Sequence, residues 1–312
     1  MSLKTDLRDR EIDADRFEPD DEADALLRGA VDLHQHPGPS PFPRRMDIAD
    51  AARDAAGAGF RAIVVKSHHH SMVSDILALE PEILSAIPID VYGGIALNHT
   101  VGGLNPYAVE LALRMGGRVV WFPTLASPAH IDHHTHTTTN FPVSQVQLRD
   151  NPPIHIADDE GRLVPAARDV LDVIAAEDAV LTCGHLGVTD TELLITAAQE
   201  AGVRRIVVNH PVFVVGASVD QAVEWSRRGV YIEHCLSMYF GLPERRRDIE
   251  ELARFVDAVG TGQTLFSSDS GQKVNPLPVT LYRRAVRAFL DRGASADDIT
   301  RLVSSNAGGV LL

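Results

Sequence analysis

The stretch VDLHQHPGPS, residues 31–40, places two histidines, His34 and His36, at the end of a short apolar run. On a β-strand, residues i and i+2 point to the same face, so both imidazoles are expected to face the same way. The Pro-Gly-Pro that follows is typical of a strand end. Two neutral imidazoles that converge on one point form a metal-ligand pair. The stretch therefore predicts a strand that leads into a metal site, provided that other segments supply further ligands.

Seven more apolar runs rich in β-branched residues follow this first one along the chain. Their nearly continuous hydrophobicity is typical of strands buried on both faces. The segments between them have helical patterns, and several end in glycine, the usual residue of a helix C-cap. Eight strands that alternate with helices predict an α/β fold, a single-domain (β/α)8 TIM barrel. The eight runs are residues 30–36, 61–68, 90–99, 118–124, 179–187, 205–211, 230–235 and 264–271.

The predicted barrel covers residues 29–312, and residues 1–28 are predicted to form an acidic N-terminal tail or helix. An open doubly wound sheet is the alternative architecture, but the chain lacks its glycine fingerprint and the strand count fits a barrel better. The longest connection, about residues 125–164, follows the fourth strand. It contains a histidine-rich stretch that we interpret as a polar flexible loop, one of whose side chains could close over a substrate. These histidines are His130, His133, His134 and His136.

The composition narrows the class of protein. Of 312 residues, 45% are hydrophobic and 23% are charged, which is typical of a globular protein. The net charge of -14 argues against a nucleic acid or an anionic membrane as partner, because phosphates would be repelled. Two cysteines, Cys183 and Cys235, are too few for a disulfide framework and are expected to be buried thiols in a reducing compartment. We expect a cytoplasmic protein with a small-molecule partner. The sequence leaves open whether the protein forms a homo-oligomer.

Side chains that bind metals recur where the predicted strands end. In a barrel, the carboxyl ends of all strands meet at one face, where active sites are built. Imidazoles and carboxylates from several strands can therefore converge above the barrel, as a catalytic divalent metal requires. The strand-end residues are His34, His36, Lys66, His68, Asn98, His185, His210, Glu233, His234 and Asp269.

These residues carry a resemblance to a known superfamily. Asp-Leu-His-Gln-His on the first strand, with His185, His210 and Asp269 on the fifth, sixth and eighth strands, resembles the amidohydrolase superfamily of metal-dependent barrel hydrolases. The resemblance runs from about residue 30 to the C-terminus. The segments VVKSHHH (64–70) and GGLNPYAVELALRMGGRVVWFPT (102–124) are similar to its DUF6282 branch.

The resemblance implies a set of metal ligands. His34 and His36 would bind a first metal together with Asp269. His185 and His210 would either bind a second metal together or have different roles at the site. In mononuclear relatives the fifth-strand histidine binds the single metal, and the sixth-strand histidine polarises substrate or water.

The fourth strand departs from the binuclear pattern. Most binuclear members take a bridging carboxylated lysine or glutamate from this strand, but here it ends in Trp-Phe-Pro-Thr, residues 121–124. Lys66 on the second strand is the candidate substitute, as a carbamate between two metals. Otherwise Lys66 is an ammonium that binds a substrate carboxylate. The sequence therefore leaves open whether the chain binds one metal ion or two.

The function implied is a metal-dependent hydrolase that attacks an amide, ester or lactone carbonyl of a small molecule with a metal-activated water. Zinc is the first choice, with manganese or iron as alternatives. Asp269 would accept the proton of that water and pass it to the leaving group. His210 or His234 would help to stabilise the oxyanion, and Asp32 or Glu233 would fix imidazole tautomers.

Two other functions remain open. A mononuclear decarboxylase needs only one metal, and the missing fourth-strand bridge favours it over a binuclear enzyme. A non-catalytic metal-binding barrel is the alternative from another class of protein. Retention of Asp269 argues against it, because metal storage alone needs no acid–base carboxylate at that position.

Overall fold

Eight parallel strands form one sheet in the order β1 to β8, each paired with the next along the chain. The computed structural model describes residues 20–136, 144–241 and 247–312. Each predicted apolar run contains one strand, so the predicted (β/α)8 barrel is confirmed. The strands are β1 Val31–Gln35, β2 Ala62–Val65, β3 Asp90–Ala96, β4 Val119–Trp121, β5 Val180–Thr182, β6 Arg205–Asn209, β7 Tyr231–Cys235 and β8 Thr264–Ser267.

The barrel closes between its last strand and its first. The backbone N–H of Asp269 donates to the carbonyl of His34 at 2.8 Å, and the N–H of His36 donates to the carbonyl of Ser270 at 2.7 Å. Gln35 and Ser270 form a parallel bridge there. Closure removes the exposed sheet edges. It also brings the residues after β8 beside the two histidines of β1.

Helices surround the strands, and their first residues show why they begin where they do. Asp47 and Ser218 each form a reciprocal capping box with the third residue of the helix that follows. Within the described ranges, no helix combines the length and the apolar character needed to cross a membrane. The described helices are α1 Asp21–Leu26, α2 Ile48–Gly57, α3 Val73–Leu79, α4 Pro106–Arg114, α5 Pro128–His136, α6 Pro165–Ala176, α7 Val188–Glu200, α8 Val219–Arg227, α9 Ser237–Phe240, α10 Ile249–Val259, α11 Pro278–Asp291, α12 Ala296–Thr300 and α13 Asn306–Leu311.

The core has an inner and an outer layer. Inside the barrel, Val31, Val64 and Trp121 pack with other strand residues, and Val310 and Leu311 of α13 close the end opposite the strand carboxyl ends. The larger outer clusters fill the space between strands and helices. The metal-binding side chains therefore lie above a packed floor, away from the closed end.

Two predicted segments differ in their details from the structure. The histidine-rich stretch after β4 is a helix, α5, rather than a loop, because its backbone is hydrogen-bonded and His130 is buried against the barrel. Residues 137–143 of the same connection lie outside the described residues. The predicted acidic tail contains α1, whose Ala23 is buried in the outer core, while residues 1–19 lie outside the described residues.

Candidate metal centre

The two histidines of β1 both face the barrel mouth, as the spacing predicts. The pairing of β1 with β2 shifts register between Asp32 and Gln35, so Leu33 packs in the interior core while His34 also turns inward. His34 Nδ1 donates to the carboxylate of Glu233 at 3.2 Å, and His36 Nδ1 donates to the carbonyl of Lys66 at 3.1 Å. Each ring therefore carries its proton on Nδ1 and presents the lone pair of Nε2 to the site.

Asp269 completes a group of three donor atoms. The two Nε2 atoms lie 3.2 Å apart, and Asp269 Oδ1 lies 3.1 Å from that of His36 and 3.6 Å from that of His34. Ligand atoms at 2.0–2.1 Å on a tetrahedral zinc ion are about 3.3 Å from one another, so the three atoms fit one face of such a site. The Nδ1 atoms of both rings are engaged elsewhere, so both Nε2 atoms point into this group, and Lys66 Nζ also donates to that of His34 at 2.9 Å.

Burial keeps the histidines in the form that binds metal. It lowers the pKa of His34 to about 3 and the pKa of His36 well below its usual value, so both rings are neutral near pH 7. Neutral imidazole is the ligand form. The two histidines thus match a divalent metal in geometry and in protonation, and Asp269 Oδ1 matches it in geometry.

A second group of potential ligands lies below the first and shares His34. Cys235 Sγ is 3.7 Å from His34 Nδ1, and Glu233 accepts a hydrogen bond from Ser267 as well as from His34. Burial raises the pKa of the Cys235 thiol well above its usual value and that of Glu233 to about 7. Because a thiol must lose its proton to bind metal, this group suits an outer partner of His34 better than a metal site.

Lys66 follows β2 directly and is fully buried. Its Nζ donates to His34 Nε2 at 2.9 Å and lies 5.3 Å from the centre of the Trp121 ring. Burial lowers the pKa of the amine to about 8. Trp121 belongs to the interior core and forms a wall of the site. The lysine thus supplies a cationic or neutral amine next to a proposed ligand nitrogen.

His68 enters the site from the segment after β2, and Asn98 holds it there. The ring of His68 stacks on that of His36 with centroids 4.8 Å apart, and its Nδ1 lies 2.8 Å from Thr124 Oγ1. Asn98 Nδ2 donates to the carbonyl of His68 and to Thr124 Oγ1, while its Oδ1 accepts from the N–H groups of Thr124 and Ala126. Sequence reasoning placed Asn98 at a strand end but missed this role in joining two loops.

His185 and His210 lie beside the three-atom group rather than within it. Their ring centroids are 4.9 Å apart, and the His210 ring is 6.3 Å from that of His34. His210 Nδ1 donates to the carbonyl of Phe213, and its Nε2 accepts from Asn209. His185 Nδ1 shares a hydrogen bond of 2.8 Å with Nδ1 of His130 on α5. The structure thus gathers all the predicted ligands at one end of the barrel, with His130 as an addition.

The backbone is strained where it brings these residues together. His210 and Asp269 have positive φ angles of 34° and 47°. A Cβ on Gly184, which precedes His185, would lie 2.1 Å from the Phe122 carbonyl oxygen, so only glycine fits at this position. Unusual backbone geometry of this kind is concentrated at functional sites.

Two residues considered from the sequence face elsewhere. His234 alternates with Glu233 and Cys235 along β7, so its ring points outward and packs against Phe255 and Tyr239. It is therefore unable to contact a substrate. Asp32 accepts from Gln35 and from the backbone N–H groups of His34 and Ser268, so it braces the strand ends rather than fixing an imidazole tautomer.

A small cavity opens beside Asp269 and the histidines. The volume of this cavity is about 60 Å³, which is room for about four to six waters. Arg44 and Phe42 from the segment after β1 form part of its wall, and sequence reasoning singled out neither of them. Cys183 and Cys235 are buried free thiols, as predicted. The cavity is lined by His36, Phe42, Arg44, His68, His185, His210, Phe213, Asp269 and Gln272.

Solved structures share this fold at low sequence identity. An amidohydrolase from Pseudomonas aeruginosa superposes with a TM-score of 0.60 at 11% identity, over 93% of this chain and 98% of that one. The probable dipeptidase PvdM from the same organism gives 0.63 at 11% identity, over 93% and 96%. A mutant organophosphorus hydrolase from Deinococcus radiodurans gives 0.58 at 13% identity, over 93% and 94%. These likenesses establish the fold.

Sequence comparison gives the family. No curated protein matches the chain. Residues 29–233, which are more than half of the chain, match the family described as "Family of unknown function (DUF6282)". The resemblance noted from VVKSHHH and the strand-end residues is therefore confirmed. The chain belongs to the DUF6282 family and has the barrel fold of amidohydrolases.

Proposed function

We propose that the protein is a metal-dependent hydrolase in which His34, His36 and Asp269 hold a divalent metal, with zinc as the first choice. The observation that carries this proposal is the triangle of donor atoms with edges of 3.1, 3.2 and 3.6 Å, formed by two rings whose Nδ1 atoms have other partners and by Asp269 Oδ1. The fold is shared with enzymes whose names include a dipeptidase and an organophosphorus hydrolase, which supports hydrolysis in general.

The bound metal would lower the pKa of a water molecule to about 7 and so supply hydroxide at neutral pH. Asp269 would accept a proton from that water and pass it to the leaving group. His210 and His68 line the cavity and would lie beside the substrate there. Phe42 and Phe213 cover the same cavity and limit the access of bulk water. The substrate is a small molecule with an amide, ester or lactone bond.

Partners on the inner side hold the ligands in place. Glu233 fixes the tautomer of His34, and the Lys66 carbonyl fixes that of His36. We propose that the Lys66 amine is unmodified. Its Nζ already contacts His34 Nε2 and the Trp121 face, and the residue is fully buried, so it leaves little room for the three atoms of a carbamate.

We further propose a single metal ion per chain. Among the described residues, the one other group of potential ligands shares His34 and contains a protonated thiol. The residues that follow β4 offer neither lysine nor carboxylate as a bridge. His185 is the candidate fourth ligand, in keeping with the mononuclear pattern. The two buried free thiols support a cytoplasmic location.

Metal content and turnover test this proposal together. We expect one metal per chain by elemental analysis of protein purified without chelator, and metal-dependent hydrolysis of members of a panel of small esters, lactones and amides. The double variant His34→Ala, His36→Ala should lose both and remain folded. The matched control His99→Ala, His136→Ala removes two exposed histidines and should retain both. Full metal content in the first double variant would show that the ligand assignment is wrong.

Decarboxylation is the second candidate, favoured by the single proposed metal ion and by the buried amine of Lys66 beside its ligands. Release of CO₂ from small carboxylated substrates, without hydrolysis of the panel, would identify it. Stoichiometric metal with neither activity would favour the non-catalytic metal-binding barrel.

A further inference from the structure

Arg44 is a buried cation in the wall of the cavity. It lies in the irregular segment between β1 and α2, where its backbone bridges to Gln272. The residue is only 4% exposed, and its guanidinium carbon is 5.8 Å from the centre of the Phe42 ring. Its Nε is buried without a hydrogen-bond partner, and its side chain forms no ion pair with any residue in the described ranges. The residue thus lines the cavity, and none of the hydrogen bonds found among the described residues uses its guanidinium.

An unpaired buried charge destabilises the fold that contains it. Burial lowers the pKa of Arg44 only to about 10, so the group stays charged at neutral pH. Asp269 is the negative group whose field favours that charge, but Asp269 Oδ1 contacts His34 and His36 instead. Among the described residues, the partners of this cation are therefore the Phe42 ring and the field of Asp269, and no carboxylate forms an ion pair with it.

We propose that Arg44 binds a carboxylate of the substrate, so that the enzyme acts on small carboxylic acids whose hydrolysable bond lies at the metal centre. This inference rests on the proposed function and names its substrate class. The planar guanidinium matches the two oxygens of a carboxylate. The cavity holds about four to six waters, which restricts the ligand to a compact molecule.

A phosphate monoester fits the site less well. Arg44 is the one arginine in the cavity wall, which contains no lysine and already includes the carboxylate of Asp269. In this proposal the metal contacts the hydrolysable bond, so the anionic group pairs with Arg44 alone. A single guanidinium balances the one charge of a carboxylate, whereas a phosphate monoester carries nearly two at pH 7.

Calorimetric titration tests the assignment without relying on turnover. The probes are sodium acetate, succinate and glutarate, the neutral diamides of the two diacids, and inorganic phosphate. Each is titrated into zinc-loaded protein and into the metal-free variant His34→Ala, His36→Ala. We expect at least one carboxylate to bind both proteins more tightly than its amide. Arg44→Met should weaken that binding by at least about 30-fold and leave the diamides unaffected.

Arg45→Met is the matched control. It removes the neighbouring arginine, which donates to the Asn275 carbonyl and does not line the cavity, and it should leave carboxylate binding unchanged. Thermal unfolding provides an independent measurement. If Arg44 is kept for a ligand, Arg44→Met should raise the midpoint of the ligand-free protein by about 2 °C or more, because an unpaired buried charge is removed.

The outcomes separate this inference from the proposed function. Arg44-dependent carboxylate binding in a protein without hydrolase activity would uphold the anion site and overturn the proposed function. The inference is overturned if no carboxylate in the set shows Arg44-dependent binding, or if phosphate binds better than every carboxylate. A lower unfolding midpoint for Arg44→Met with unchanged anion binding would assign Arg44 a structural role and overturn it as well.

Discussion

Replacing Glu233 with glutamine should weaken metal binding without weakening the fold. Glu233 Oε1 accepts a hydrogen bond from His34 Nδ1 at 3.2 Å, and both side chains are almost fully buried. A glutamine amide at this position keeps the shape and one acceptor but loses the charge that makes His34 a stronger ligand. Loss of such an outer partner reduces metal affinity by about 10- to 100-fold, or about 1.4 to 2.7 kcal/mol.

The metal-free Glu233→Gln variant should be as stable as the parent protein or more stable. Burial raises the pKa of Glu233 to about 7, which means that the fold disfavours its charged form. A neutral amide avoids that cost, so the free energy of unfolding in urea should be equal or higher for Glu233→Gln.

Competition with a chromophoric chelator measures the zinc dissociation constant, and Glu192→Gln is the control. Glu192 accepts a hydrogen bond from Trp225 on the outside of the barrel, so this variant should bind zinc like the parent protein. A zinc affinity of Glu233→Gln within about twofold of the parent value would refute the assigned role of Glu233, since the outer-partner effect is at least about tenfold.

Three further variants test other parts of the site. Asp269→Asn should retain most of the metal, because asparagine keeps the shape and tolerates the positive φ of 47°. Turnover should fall by at least about 100-fold, since an amide cannot accept the proton. An active variant would place the base elsewhere. Lys66→Arg should bind one metal per chain like the parent, whereas two ions in the parent and one in the variant would indicate a bridging carbamate and contradict our proposal. Asn98→Ala should lower the free energy of unfolding in urea by about 2 to 4 kcal/mol, because four buried hydrogen bonds to the His68 and Thr124 segments are lost. A loss below about 1 kcal/mol would mean that water replaces the amide in this role.

Much of the architecture could be predicted from hydrophobic runs and from the residues that end them. Strands buried on both faces need continuous apolar sequence, so all eight were recognisable. Because parallel strands of a barrel end at one face, His34, His36 and Asp269 could be expected to meet although the last is far away along the chain. The histidine-rich α5 was interpreted wrongly as a loop, because its polar sequence lacks the apolar face that signals a helix.

Local sequence patterns are enough to predict that metal-binding side chains gather at one end of a barrel. The direction in which each side chain points depends on the tertiary structure. On a strand that is apolar on both faces, no alternation reveals the inward side, so the sequence does not show that Glu233 lies against His34 and His234 against Phe255. Arg44 lies in an irregular segment without periodicity, and it reaches the cavity because its backbone pairs with Gln272 from the other end of the chain. Contacts of this kind depend on long-range closure of the barrel, which local sequence patterns do not encode.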